Sequence, residues 1–296
     1  MPPAMQAVVS VSWFLAIALT ASLDRVGQAF TPQWQLRLLA GGAVCLSAAT
    51  SSSVLAAVTV VGVGIGLPGR VLWFVASTAA ALLLMQVIGH VRRVAVRSRA
   101  AEVFRRQDAT STGVVYAPDP VPEAFAVPGR PGVVVVTTGL RDALDRAELA
   151  AVIRHERAHL ASHHHLYVQL TELAAHVNPI LRRWCSAVRF AAERHADECA
   201  AAVDRDSTAR ALARVALLTA APRDRLGNLG ISDDAHCVIA RVQALRQPPP
   251  RRQHRVPVLL AAAVLIFTGI DTELTADLVQ DRLSPESGEA MSVAPR

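Results

Sequence analysis

Residues 152–170, VIRHERAHLASHHHLYVQL, gather five histidines and one glutamate into a short stretch that could hold a metal. His155-Glu156-Arg157-Ala158-His159 reads HExxH. On a helix, residues four apart share a face, so both imidazoles can aim at one Zn²⁺ ion. Glu156 sits beside that face, placed to take a proton from a water at the metal. The plain alternative is a helix with two surface histidines. The helical pattern around the motif favours the chemical reading.

Two residues compete to complete the site. His165 lies ten residues after His155, the spacing of the third ligand in HExxHxxGxxH enzymes. Those need a glycine where this chain has Ser162, and a downstream methionine turn, yet after Met85 the next methionine is Met291. Glu193, in RFAAERHADECA, stands thirty-four residues past His159, which leaves room for one intervening helix and a return. Asp197 follows four residues later on the same face, as an acceptor that can orient a ligand histidine. A Glu and Asp at this spacing are commonly a solvated face; after HExxH at this interval, Glu193 is the expected third ligand. The other histidines take plainer readings. His163, His164 and His165 lie at the end of the motif helix, where positive side chains suit the dipole. His195 points away from Glu193, and His176 and His254 are structural or solvated.

The elements that must position these residues can be read along the chain. Short strands are expected at Val114–Tyr116 and Ala124–Val127, and VVVVTT (133–138) after a Gly/Pro turn is a strong strand pattern. The motif helix starts at Asp145, with Glu148 completing a capping box. Leu149, Val152, Ile153 and Leu160 form its buried stripe. Further helices are expected over about 164–177, 181–203, 207–220 and 233–246, with loop at APRDRLGNLG. One strand region beside several helices makes an α+β domain.

The chain around that domain is apolar: 52% hydrophobic over 296 residues, with positive mean hydropathy, which makes membrane insertion the first expectation. Candidate spans are 5–22, 38–66 and 71–91, with a marginal fourth at 256–270. A signal peptide is the rival reading of the first, but no arginine precedes its apolar core. Arginines crowd 92–106 (RRVAVRSRAAEVFRR) and RRQHR before the fourth span, so the positive-inside rule puts the region between them in the cytoplasm. The expected plan is spans to residue 91, a basic linker 92–107, a metallopeptidase domain 108–246, a Pro/Arg linker 247–255, span 256–270 and an acidic tail 271–296. All thirty basic residues are arginine, but they flank apolar runs instead of forming one dense patch, which argues against nucleic-acid binding. Cys45, Cys185, Cys199 and Cys237 show no CxxC spacing and imply neither disulfide framework nor Cys-zinc module.

The run VVVVTTGLRDALDRAELAAVIRHERAHLASHHHL, followed by AAERHADECA, resembles the BlaR/MecR-type membrane metallopeptidases, cousins of the HtpX and CAAX-prenyl-protease group. The resemblance covers about 110–246 and the general scheme of flanking spans. It implies an α-helical multi-pass protein of the plasma membrane carrying an α+β, mainly helical, gluzincin-like zinc endopeptidase domain that faces the cytoplasm. One Zn²⁺ per chain is implied at His155, His159 and Glu193, with Glu156 as general base and Asp197 in support. HCVIARVQAL (236–245) resembles the group's late segment, making His236 and Arg241 candidates for stabilising the oxyanion. Implied partners are membrane lipid and a protein substrate: a BlaI/MecI-type repressor, the peptidase itself, or both. An HtpX-like quality-control protease and a non-catalytic adaptor are the rivals. The substrate strand is expected to add to 133–138 as an edge. Two departures stand out. Only some 25 residues follow the last span, where the sensors carry a large penicillin-binding domain, and His164 stands where many relatives have Asp.

Overall fold

The computed structural model describes residues 3–23, 30–66, 68–106, 113–219, 231–249 and 255–283. The 221–230 loop, His254 and the end of the acidic tail lie outside these residues. Two long apolar helices lead the chain, α1 (Pro3–Ala21) and α2 (Pro32–Gly64), followed by α3 (Gly69–Arg106). Three strands come next, β1 (Val114–Ala117), β2 (Ala124–Val127) and β3 (Val133–Thr137). Then come α4 (Thr138–Ala143), α5 (Arg146–Ala161), α6 (His164–Val177), α7 (Arg182–Ala201), α8 (Arg205–Thr219), α9 (Ile231–Leu245) and α10 (Arg255–Leu283).

The sheet explains its own composition. β3 is the middle strand, parallel to β1 and antiparallel to β2. Val134 and Val136 face one way, with Val114, Leu140 and the α5 stripe Leu149, Val152, Ile153 and Leu160. Val133 and Val135 face the other way, with Val115, Val127, Phe104 of α3 and Phe125. A strand covered on both faces reads as an unbroken apolar run instead of an alternating one. The expected edge is therefore not 133–138: both sides of β3 are paired, β1 and β2 are the outer strands, and β2 is the one that borders the cleft. The strand also stops at Thr137, whose hydroxyl caps α4 by accepting from the Leu140 N–H at 3.2 Å. The short α4 thus precedes the motif helix as a separate element.

Gly139, just inside α4, has a steric reason. A Cβ there would lie 2.1 Å from the Pro120 carbonyl oxygen, while the Gly139 N–H donates to the Asp119 carbonyl at 2.9 Å. That backbone cannot give way. Gly139→Ala is expected to destabilise the fold by about 1–3 kcal/mol, read as a lower melting temperature.

α5 begins as its sequence dictates. The Asp145 carboxylate accepts from the N–H groups of Ala147 and Glu148, both at 2.8 Å, and Glu148 accepts in return from the Asp145 N–H at 3.1 Å. Glu148 also pairs with Arg214 of α8 at 3.3 Å. At its far end α5 stops at Ala161, and His163 takes a left-handed conformation (φ 51°) that turns the chain into α6. The three consecutive histidines accordingly straddle a helix break instead of finishing one helix, and His164 opens α6.

α1 and α2 do not form a layer apart from the site-bearing helices. Ala16, Leu36, Leu39, Ala43 and Leu46 share one core with Ala175 of α6 and Trp184 and Val188 of α7. The Trp184 indole donates to Thr20 Oγ1 of α1 at 2.8 Å, and its ring packs where Gly42 leaves room. α10 lies along α2 and α1 and runs on through the acidic stretch to Leu283. α3 continues without a break through the arginines expected to form a linker.

Two helices among the described residues are long and apolar enough to cross a membrane, over Pro32–Thr59 and Gly69–Val96. They differ in surroundings. The first is 44% buried in protein, whereas the most apolar window of the second is not buried at all, with Trp73 77% and Phe74 71% exposed. So continuous an exposed apolar surface marks a face for contact with a membrane or with another protein.

Candidate metal centre and cleft

α5 and α7 pack side by side and bring together the two halves of the predicted site. His155 Nε2 and His159 Nε2 lie 3.1 Å apart. Glu193 places Oε2 at 3.3 Å from the first and Oε1 at 3.4 Å from the second. A tetrahedral ion with bonds of about 2.0–2.1 Å spaces its ligand atoms by roughly 3.3–3.4 Å. Two imidazoles and one carboxylate at this spacing, beside a cleft, are a donor set that would hold Zn²⁺. His165 does not join this group. It lines the cleft wall instead.

A charged layer stands behind the triangle. Asp197, 1% exposed, places Oδ1 3.1 Å from Nδ1 of His155. Arg241 of α9 grips Asp197 with two hydrogen bonds of 2.8 Å, from Nε and Nη2, and reaches Glu193 at 3.0 Å. Its guanidinium is thereby bound to the carboxylates that hold the site, an arrangement different from an oxyanion donor aimed into the cleft. Its partner in that expectation, His236, is exposed, while Cys237, Val238 and Arg241 are the α9 residues on the cleft.

Burial alone would raise both carboxyl pKa values, but the hydrogen bond to His155 and the charge of Arg241 hold Glu193 well below its usual range. Hydrogen bonds from Arg241 and His155 do the same for Asp197. Burial also works against a charged His155, yet hydrogen bonds to Asp197 and Glu193 prevail and raise it to about 9. His159, which gains less from the carboxylates, is pushed down by burial to about 4. Glu156 behaves oppositely to Glu193. Burial raises it to about 7, although the Ala126 N–H of β2 donates to its carboxylate.

The back of His159 was not foreseen. Its Nδ1 lies 2.9 Å from Nδ1 of His164, whose Nε2 lies 2.8 Å from Nδ1 of His195. His164 is 2% exposed, and burial lowers its pKa to about 3; His195 is lowered by burial as well. His164 is therefore a buried first residue of α6 and not part of the C-terminal end of the motif helix.

The cleft measures about 1500 Å³ and runs between β2 (Ala124, Phe125, Ala126), α5, α6 and α7, with Glu156, His155, His159 and Glu193 on its floor.

Residues 89–181 match the model of peptidase family M48. The chain is 32% identical over 100 residues to a Protease HtpX homolog of Salinibacter ruber, an alignment covering 33% of this chain and 36% of that protein. It is 55% identical over 47 residues to a Protease HtpX homolog of Dictyoglomus thermophilum, covering 15% and 16%. The chain thus spans little more than a third, or less, of the length of these curated relatives. No solved structure matches. The matched family region holds His155, Glu156 and His159 but ends before Glu193, which the fold itself supplies. Over residues 89–181 the chain is thus similar to the family M48 peptidases, and over 100 residues to an HtpX homolog.

Proposed function

We propose that the chain is a membrane-associated zinc endopeptidase whose site is His155, His159 and Glu193 with Glu156 as general base. The observation that carries this reading is the ligand triangle opening onto a cleft walled by an edge strand, with Glu156 beside it. Zinc, when bound, supplies Lewis acidity to a water and to the scissile carbonyl. Glu156 takes a proton from the water as its oxygen bonds to the carbonyl carbon. It returns that proton to the nitrogen as the C–N bond breaks. A carboxylate at the cleft beside the three ligands stands where it can make both transfers. Asp197 holds Nδ1 of His155, and Arg241 fixes Asp197 and Glu193 against each other. An extended substrate is expected to lie along β2, backbone against backbone.

We place the chain in the membrane as a multi-pass protein, with the cleft on the cytoplasmic side where the arginines of α3 stand. The named relatives are HtpX homologues, so a quality-control role stands level with cleavage of a BlaI/MecI-type repressor. One experiment separates them. The purified chain, in detergent with zinc, is offered an unfolded protein such as casein and a BlaI/MecI-type repressor. Many cuts in casein support the quality-control role. A single cut in the repressor with casein left intact supports the regulatory one. A zinc-loaded chain that cleaves neither ends the peptidase reading.

A further inference from the structure

Behind the two histidine ligands stand different supports. His155 is backed by a carboxylate, Asp197, at 3.1 Å. His159 is backed by His164 at 2.9 Å, then His195 at 2.8 Å, then the Cys199 Sγ, 3.6 Å from Nε2 of His195. The rings stack edgewise or tilted along this line, with centroids 4.7 Å and 5.1 Å apart.

The protons on such a line are not free to choose. A hydrogen bond between two ring nitrogens needs one protonated and one bare. Nε2 of His159 points into the ligand triangle, so its lone pair serves the metal and its proton sits on Nδ1. Nδ1 of His164 must then be bare and accept, which puts that ring's proton on Nε2. His195 accepts at Nδ1 for the same reason and carries its proton on Nε2, toward Cys199. A metal at one end therefore dictates the tautomer of every ring behind it. The charge balance also favours a neutral support here. Glu156, Glu193 and Asp197 already surround the site, with Arg241 paired to the last two and Arg194 4.0 Å from Asp197. Another carboxylate behind His159 would add a further buried negative charge.

We propose that His164 and His195 are positioning residues. They form a neutral, one-directional hydrogen-bond chain that fixes the tautomer and ring plane of His159 from the side opposite the metal. This inference rests on the reading of His155, His159 and Glu193 as a zinc site.

The test uses the whole chain in detergent, zinc-loaded and labelled with ¹⁵N-histidine, with resonances assigned through His164→Asn and His195→Phe. The expected ¹⁵N shifts show His159 protonated on Nδ1, and both His164 and His195 on Nε2. Either of the latter protonated on Nδ1, or doubly protonated, overturns the proposal. A competing fluorescent chelator then reads zinc affinity. His164→Leu is expected to lose about 10–100-fold, the usual cost of removing a group that orients a metal ligand. His164→Asn, which can accept from His159 and donate to His195, is expected to recover most of that loss. A folded His164→Leu with wild-type affinity overturns the proposal, and the wild-type tautomers decide it should that variant fail to fold. A chain that shows the expected tautomers and binds zinc but cleaves nothing supports the histidine chain and refutes only the peptidase reading.

Discussion

Glu156→Gln is expected to bind zinc at the wild-type stoichiometry and to lose about 10²–10⁴-fold in kcat. The two outcomes separate because Glu156 is not one of the three converging ligand atoms. It lies on the cleft beside them, and its carboxylate accepts from the Ala126 N–H. Glutamine keeps the shape and that hydrogen bond but cannot receive a proton. Metal content by elemental analysis, paired with turnover of a peptide substrate, checks both halves. A variant that loses zinc would make Glu156 a ligand, and one that keeps full turnover would remove it from the chemistry.

Glu193→Ala is expected to do the reverse and lower zinc affinity by more than about 100-fold, beyond the range seen for residues that merely orient ligands. Glu193 is the sole vertex of the triangle supplied by α7, at 3.3 and 3.4 Å from the two imidazoles. Its removal leaves two ligands on one helix and takes one carboxylate from Arg241, while Asp197 remains to hold that guanidinium. Parallel measurement of His165→Ala guards the assignment. Should that variant lose zinc while Glu193→Ala retains it, the third ligand would come from the other spacing weighed in the sequence.

Features with a short period could be read from the residues alone. The capping box at Asp145 and Glu148, the stripe from Leu149 to Leu160, and the His155–His159 and Glu193–Asp197 pairs all repeat within one or two helical turns. The structure places them close to where the spacing implied. What eluded the sequence depends on long-range partners. Four consecutive valines announce a buried strand, but nothing local says that β1 would pair on one side of it and β2 on the other. His164 and His195 are thirty-one residues apart, a separation with no helical or strand period to betray it. The arginines of 92–106 suggested a linker, although Arg, Ala, Glu and Val continue a helix without difficulty. Apolar side chains also look alike whether they face lipid or protein, so α2 gave no sign that its Leu36 and Leu46 belong to a core shared with Trp184.

That shared core separates the unit of inheritance from the unit of folding. Kinship is legible over residues 89–181, yet this segment contains neither Trp184 nor Glu193, and the apolar face of α6 within it is covered from outside by α2. Excised, it would carry the hallmark of the peptidases without the scaffold that makes the hallmark a site. The leading helices are thus a floor beneath the site. A length change in α1 or α2 would be felt at Trp184, at the start of the helix that delivers Glu193.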